Sequence, residues 1–316
     1  MIIAHRGASG MLPEQTLEAF DLAVAQGADA IELDIIPTRD GVLLARHENE
    51  LSATTNVADV PAFAARRSTR SIDGSTITGW FAEDFVAEEI RTLRARQRFA
   101  FRDQTFNDRF GVPTLEDALC WRSSVARPIR LFIEIKHPSY FEGLGFSVPD
   151  LLLRTLSRRG ATQRNSDIVL MSFETQVLRQ LRAMTDLPLI QLLDAPATRP
   201  FDWTAAQDPR TYAHLLTPDG LAHIATYADG IGPWKRLIVP APGGELIQLA
   251  APTSLIRDAH AAGLFVCAWT FRDEPQFLAT DYAGDPLLEY RQFIDLGLDG
   301  IITDFPASPL AALQRS

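Results

Sequence analysis

Residues 30–36 read AIELDII. Ile31, Leu33 and Ile35 fall on one face of an extended strand, and Glu32 and Asp34 on the other, because side chains alternate with period two. Two carboxylates in the middle of an apolar strand are costly to bury unpaired. Two arrangements offset that cost: a cation held against the strand, or salt bridges to Arg or Lys at a strand end. The flanking sequence bears on the choice.

On the N-terminal side, residues 12–29 read LPEQTLEAFDLAVAQGAD. Leu17, Phe20, Ala23 and Val24 make a helical stripe, and Gly27 is a suitable stop. Before it stands a short apolar strand, Ile2 to His5, followed by ArgGly and a small-residue turn. On the C-terminal side a turn at ThrArgAspGly leads to the strand VLLARH, ending at His47. Strand, helix, strand is a βα unit opening a parallel sheet.

Residues 50–110 then lose clear periodicity and read as an insertion after the second strand, with FVAEEIRTL their one clear helical piece. Their arginines (Arg66, Arg67, Arg70, Arg91, Arg94, Arg96, Arg98) alternate with acids, as on a solvated surface. Following His47 directly, the insertion is expected over the barrel mouth. Thr114, with Asp117 three residues on, restarts the pattern as a helix cap. Strand candidates follow near Ile133, Val169, Ile190, Ile231, Val266 and Ile301, joining those near Ile3 and Ile35. Helical segments separate most of them: 148–159, 174–184, 218–227 (Thr217 as cap, Pro218 at the first position), 254–262 and 289–296. Residues 194–216 and the PAPGGE stretch at 240–245 read as loops. Eight such units predict a TIM (β/α)8 barrel, one domain over 1–316, rather than an open doubly wound sheet. No GxGxxG or GxxxxGK[ST] stands at a βα turn, which argues against a dinucleotide or P-loop site.

The chain has 316 residues, 46% of them hydrophobic, and a formal net charge of −10. That charge, with no basic run, argues against nucleic acid and anionic membrane surfaces as partners. It also implies that an anionic substrate meets a local positive site. The only cysteines, Cys120 and Cys267, are far apart in apolar settings and read as two buried thiols. No run of about 18 apolar residues and no leader-like opening is present, so a cytoplasmic protein without stable membrane insertion is expected.

In a barrel, polar residues at strand C-termini point to the mouth. Here they are His5, Arg6, Glu32, Asp34, His47, Glu134, Lys136, Ser172, Gln191, Trp269 and Asp304. Glu32, Asp34 and Glu134 can make one all-oxygen site for Ca²⁺ or Mg²⁺. Two His, an Arg and a Lys beside it supply proton transfer and anion contacts. His137, His214, His223 and His260 lie in helical or loop surroundings.

Several stretches together resemble the glycerophosphodiester phosphodiesterase family, in its longer bacterial subgroup. AHRGASGMLPEQTLEAF (4–20) is similar to its opening signature, and GADAIELDIIPTRDGVLLARHE (27–48) to the continuation. EIK (134–136), AWT (268–270) and DGIITDFP (299–306) resemble its later motifs; IDGSTITGWFAEDFVAEEIRTL (72–93) and YADGIGP (227–233) resemble the subgroup. The resemblance implies hydrolysis of small glycerophosphodiesters, such as glycerophosphocholine or glycerophosphoethanolamine, to glycerol 3-phosphate and an alcohol. It implies Glu32, Asp34 and Glu134 as ligands of a divalent ion, Ca²⁺ before Mg²⁺. It implies His5 and His47 as general acid and base, Arg6 and Lys136 as phosphate contacts, and Glu14 as a residue near the site. Trp269 stands where it can shelve the glycerol carbons. Four places depart from the family pattern: HisGlu at 47–48 for HisAsp, Gln15 for Asn, Met171 for a polar residue, and LSATT at 51–55. Two alternatives stay open: a phospholipase D-like lyase acting on lysolipids, and a catalytically silent binding barrel.

Overall fold

The computed structural model describes residues 1–242 and 248–314, so part of the PAPGGE loop lies outside the described residues. Eight parallel strands close into a barrel: β1 (Ile2–His5), β2 (Ala30–Pro37), β3 (Arg130–Ile135), β4 (Ile168–Ser172), β5 (Leu189–Leu193), β6 (Gly230–Pro233), β7 (Phe265–Phe271) and β8 (Gly300–Thr303). Each pairs with its neighbour in sequence, and β8 returns to β1. A helix follows every strand: α1 (Leu17–Ala25), α2 (Leu115–Ser124), α3 (Val148–Arg158), α4 (Thr175–Met184), α5 (Pro218–Ile224), α6 (Leu255–Ala261), α7 (Pro286–Asp295) and α8 (Ala307–Gln314). This is the TIM-barrel architecture. Among the described residues no helix is long and apolar enough to cross a membrane.

The alternation read in AIELDII separates two layers. Ile31, Leu33 and Ile35 face outward into the large core between strands and helices. The inward side is filled by a smaller plug of Ile3, Ala30, Phe132, Val169, Met171, Ile190, Leu192, Cys267 and Ile302. Each fully buried large apolar side chain stabilises the fold by about 1.5–3 kcal/mol. Above the plug, Glu32 and Asp34 continue the inward row of β2. Register sets Asp34 beside Glu134 of β3 and His5 of β1 beside Glu32.

The caps follow the sequence. The Thr16 hydroxyl accepts from Ala19 N at the start of α1. Thr114 and Asp117 form a reciprocal capping box on α2. Thr217 caps α5, with Pro218 at its first position, but the helix ends at Ile224 rather than 227.

Elsewhere the structure corrects the sequence reading. VLLARH is a strand only over Leu43–Ala45, antiparallel to β2, so His47 stands beyond it. Residues 50–110 hold a hairpin, Ser68–Ile72 with Ser75–Gly79, that the periodicity did not announce. FVAEEIRTL is helical only over Ala87–Ile90. Two short helices, Phe201–Ala205 and Tyr212–Leu215, punctuate the 194–216 loop. Cys267 is buried but Cys120 is exposed, because α2 turns position 120 away from its buried residues Leu115, Ala118, Leu119 and Trp121.

Gly7 fixes how closely β1 approaches α1. Its φ is +82°, and a Cβ there would stand 2.7 Å from the Ala19 carbonyl carbon. Gly74, in the hairpin turn, has the same φ of +82° but nothing within 4 Å. Gly74→Ala is therefore expected to lose about 1 kcal/mol, from backbone strain alone. Gly7→Ala is expected to lose about 2–5 kcal/mol, from strain and overpacking together. Urea unfolding midpoints measure both; equal losses would mean that the Ala19 backbone yields.

Candidate active site

The site begins in the loop between β1 and α1. Arg6 and Gln15 both adopt left-handed backbone, with φ of 59° and 60°. Such conformations cost non-glycine residues energy and persist when the surroundings over-determine them. Here Arg6 N donates to the Glu32 carbonyl at 2.9 Å and to Glu32 Oε2 at 3.0 Å. Gln15 N donates to the Arg6 carbonyl, and Gln15 Nε2 donates to Asp34 Oδ2 at 2.6 Å. The Gln at this place thus orients an inward acid.

Glu32, Asp34 and Glu134 each offer an oxygen within 4.8 Å of the others, and all three are buried. Burial first, and the Asp34 charge second, push the Glu32 carboxyl well above its ordinary range, against the opposing pull of Arg6. Asp34 Oδ1 is buried with no hydrogen-bond partner. An orphaned carboxylate oxygen among crowded acids is what a hard divalent cation satisfies, so the three residues fit such an ion.

Two cations border the acids. Arg6 Nη1 donates to Glu14 at 3.2 and 3.3 Å, and Arg6 Nε lies 3.2 Å from Asp34 Oδ2. Lys136 Nζ stands 2.7 Å from Glu134 Oε1, 3.1 Å from His47 Nε2 and 3.9 Å from Asp34 Oδ1. Burial works against the Lys136 charge, but Glu134 and Asp34 outweigh it and hold its pKa above the usual range.

Each imidazole is backed by a carboxylate. His5 Nδ1 meets Asp304 Oδ1 at 2.6 Å, and His47 Nδ1 meets Glu48 Oε1 at 2.6 Å. Carboxylates accept, so both rings carry the Nδ1–H tautomer, and Nε2 is left to accept. Burial, with Arg6 nearby, lowers His5 to about 4 despite Asp304. Burial, Arg6 and Lys136 lower His47 to about 3. Both shifts favour the neutral ring.

His5, Arg6, Glu32, His47 and Glu134 line a cavity of about 480 Å³ at the C-terminal mouth of the barrel, with Asp34 buried beneath it. Met171, Phe173, Leu192, Trp234, Trp269 and Phe277 form its apolar side. Trp269 Nε1 donates to the Gly232 carbonyl at 2.7 Å, and Phe173 packs edge-on against its ring. Arg272, Lys235 and Arg236 add charge at the far wall.

The structure therefore brings together His5, Arg6, Glu32, Asp34, His47, Glu134, Lys136 and Trp269. Glu14 lies just behind Arg6, in contact with it. Ser172 and Gln191 do not join them. Met171 and Leu192 take the inward phase of β4 and β5, so Ser172 and Gln191 point outward. Ser172 Oγ donates to the Ile135 carbonyl, and Gln191 bonds Tyr227 and backbone carbonyls. None of the other four His lines the cavity; His137 bonds Asp73, for instance.

Sequence reading missed Arg98, assigned to the surface, and Arg102. Arg98 bonds Glu14 and Glu48, and Arg102 bonds Asp304 and Glu274. No local pattern separates Arg98 from Arg96, which pairs with Asp59 and Asp108 instead.

Residues 5–308 match the Glycerophosphoryl diester phosphodiesterase family. The chain is 36% identical to the glycerophosphodiester phosphodiesterase GDPD6 of Arabidopsis thaliana, over 97% of this chain and 84% of that protein. It is 28% identical to the glycerophosphodiester phosphodiesterase of Haemophilus influenzae, over 99% and 90% of the two chains. Its fold is similar to a phosphodiesterase of Oleispira antarctica solved with the product sn-glycerol-3-phosphate, at 19% identity, a TM-score of 0.62, and 99% and 96% coverage.

The lowered pKa values give a sign that can be checked. A depressed imidazole pKa keeps the ring neutral to lower pH, so metal-free protein titrated from pH 8 to 5 should show both rings in the neutral form throughout. Ring C–H resonances of His5 and His47, assigned by His→Gln variants, measure this. A midpoint at or above the ordinary value of about 6.5 in either ring would contradict the burial argument.

Proposed function

The chain belongs to the glycerophosphoryl diester phosphodiesterase family, and from that premise we propose that it hydrolyses glycerophosphodiesters to glycerol 3-phosphate and an alcohol. The observation that carries this reading is the cluster of three buried acids in which Asp34 Oδ1 has no hydrogen-bond donor, with two carboxylate-backed imidazoles beside it. Glu32, Asp34 and Glu134 would hold a divalent ion, Ca²⁺ in the first place and Mg²⁺ in the second, supplying positive charge against a phosphate in transition.

The other residues take roles that follow from their chemistry. Arg6 and Lys136 balance the phosphodiester charge from the protein side. One imidazole accepts, at Nε2, the proton of the attacking hydroxyl; the other returns a proton to the leaving alkoxide. Negative charge on bound phosphodiester raises both rings from their depressed values and makes the acid role accessible. Trp269 and Phe173 form an apolar wall for the glycerol carbons. Glu14 holds Arg6 from behind.

The described residues lining the cavity include neither Ser nor Cys, though Thr270 brings a hydroxyl. We take the attacking oxygen to come from water or from the substrate. We favour the glycerol 2-hydroxyl, which is tethered beside phosphorus and has the advantage of an intramolecular reaction. Its attack expels the alcohol and leaves a cyclic glycerol phosphate, which water opens.

Glycerophosphocholine and glycerophosphoethanolamine are the first substrates to assay, with glycerol 3-phosphate as the measured product. Chelation should abolish turnover and Ca²⁺ restore it. Ca²⁺ at a hundredfold its Kd should also stabilise the fold by about 2.7 kcal/mol, an effect lost in Glu32→Gln and Asp34→Asn. Unchanged turnover after exhaustive chelation would sink the metal assignment. His5→Ala and His47→Ala should each cut kcat by about 100-fold or more; a variant that keeps most of its turnover would make that His structural. A 2-deoxyglycerol analogue should bind yet turn over very slowly, and near-native hydrolysis of it would leave direct attack by water.

A further inference from the structure

One short stretch of the excursion between β2 and β3, Gln97 to Arg102, reaches both imidazoles from behind. Gln97 Nε2 donates to the carbonyls of Ser9 and Leu12 at 3.1 and 3.2 Å, and Arg102 Nη1 donates to the Ser9 carbonyl at 3.0 Å. The stretch is thereby fastened to the loop that carries Arg6 and Glu14.

Its two arginines meet the two carboxylates that back the rings. Arg98 grips Glu48 through Nη1 and Nη2, at 2.9 and 2.6 Å, and grips Glu14 through Nε and Nη2, both at 2.6 Å. Arg102 Nη2 donates to Asp304 Oδ2 at 2.5 Å, and its Nε donates to Glu274 at 2.6 Å. Arg272 Nε shares Asp304 Oδ2 at 2.8 Å. The outer oxygen of each carboxylate is taken by an arginine, while Glu48 Oε1 and Asp304 Oδ1 accept from the rings.

A fork of two N–H donors, as Arg98 sets on Glu48, fixes both the plane and the position of a carboxylate; Asp304 Oδ2 instead takes one N–H from Arg102 and one from Arg272. Asp304 is also almost fully buried. Burial favours its protonated form; His5, Arg272 and Arg102 together hold it ionised. A protonated carboxyl would donate to the ring at Nδ1 and shift the mobile hydrogen to Nε2. That ring could then no longer accept a proton from the cavity side.

We propose that Arg98 and Arg102 are positioning residues for the phosphodiesterase reaction. Acting through Glu48 and Asp304, they hold both imidazoles in the Nδ1–H tautomer, which leaves Nε2 as the proton-accepting atom. The inference rests on the proposed proton-transfer roles of His5 and His47. It makes the excursion part of the catalytic apparatus rather than a cover over it.

The test uses the full-length, Ca²⁺-loaded enzyme and glycerophosphocholine. Arg98→Ala and Arg102→Ala should each lower kcat by about 10–100-fold, the range for groups that orient a catalytic ligand, with KM little changed. Guanidinium ion at non-denaturing concentration should restore part of kcat in these variants and none in wild type. Imidazole ¹⁵N shifts should move from the pure Nδ1–H pattern to mixed tautomers, at His47 for the first variant and at His5 for the second. Wild-type kcat, or unaltered tautomers despite lower kcat, would overturn the proposal. Should an Ala variant fail to fold, Arg98→Lys and Arg102→Lys decide. Lysine keeps the charge but neither the Arg98 fork on Glu48 nor the simultaneous reach of Arg102 to Ser9, Glu274 and Asp304, so a folded Lys variant should still lose kcat and show mixed tautomers, and full kcat would overturn the proposal. His5→Ala and His47→Ala run alongside. If they keep turnover, the proton-transfer reading falls and this inference with it. If they lose turnover while the arginine variants keep it, this inference alone falls.

Discussion

Crowding of negative charge at one end of the barrel governs the rest of this structure. Glu32, Asp34 and Glu134 are buried side by side, where low dielectric magnifies repulsion. Around them the chain lays down shells of alternating sign. Arg6 and Lys136 come first, then Glu14, then Arg98, then Glu48. On the other side Asp304 gathers His5, Arg102 and Arg272. Each shell makes the previous one tolerable, and at their centre Asp34 Oδ1 has no hydrogen-bond donor. The strained backbone of Arg6 and Gln15 belongs to the same order, because both residues turn polar groups onto β2 acids.

Much of this was legible in the sequence. Glu32 and Asp34 interrupt an apolar strand with period two, so their phase is unambiguous, and the caps at Thr16, Thr114 and Thr217 are short-range signals. What failed has a physical reason. Strands β4 and β5 are apolar on both faces, as buried parallel strands are, and nothing in IVLMS or LIQLL tells which phase faces inward. Without that phase, the polar Ser172 and Gln191 look like mouth residues, although Met171 and Leu192 take the inward places. Arg98 and Arg102 were hidden for another reason. Their partners lie 50 or more residues away for Glu48 and Glu14, and 202 for Asp304. Local alternation with acids looks the same whether an arginine faces solvent or a buried carboxylate.

Two departures from the family pattern gain a meaning from these contacts. Glu48 stands where the resemblance leads one to expect Asp, and its longer arm accepts from His47 at one oxygen while offering both to Arg98. Gln15 stands in place of Asn and spans to Asp34 from a left-handed backbone. In both places a side chain one methylene longer keeps the hydrogen-bonding chemistry. Met171 is different: it occupies the inward plug and lines the cavity as an apolar surface.

The closure of the barrel has a consequence for the order in which a newly made chain becomes competent. β1 can pair with β2 as soon as both have been synthesised, but its other edge belongs to β8. The contact between His5 and Asp304 spans 299 positions of sequence. Until the last strand has left the ribosome, β1 keeps an open edge and His5 lacks the carboxylate that fixes its tautomer. A nascent chain ending after β7 can hold all three acids of the cluster and still lack a finished site. Assembly of the barrel mouth is thus tied to the synthesis of β8 and the turn that carries Asp304.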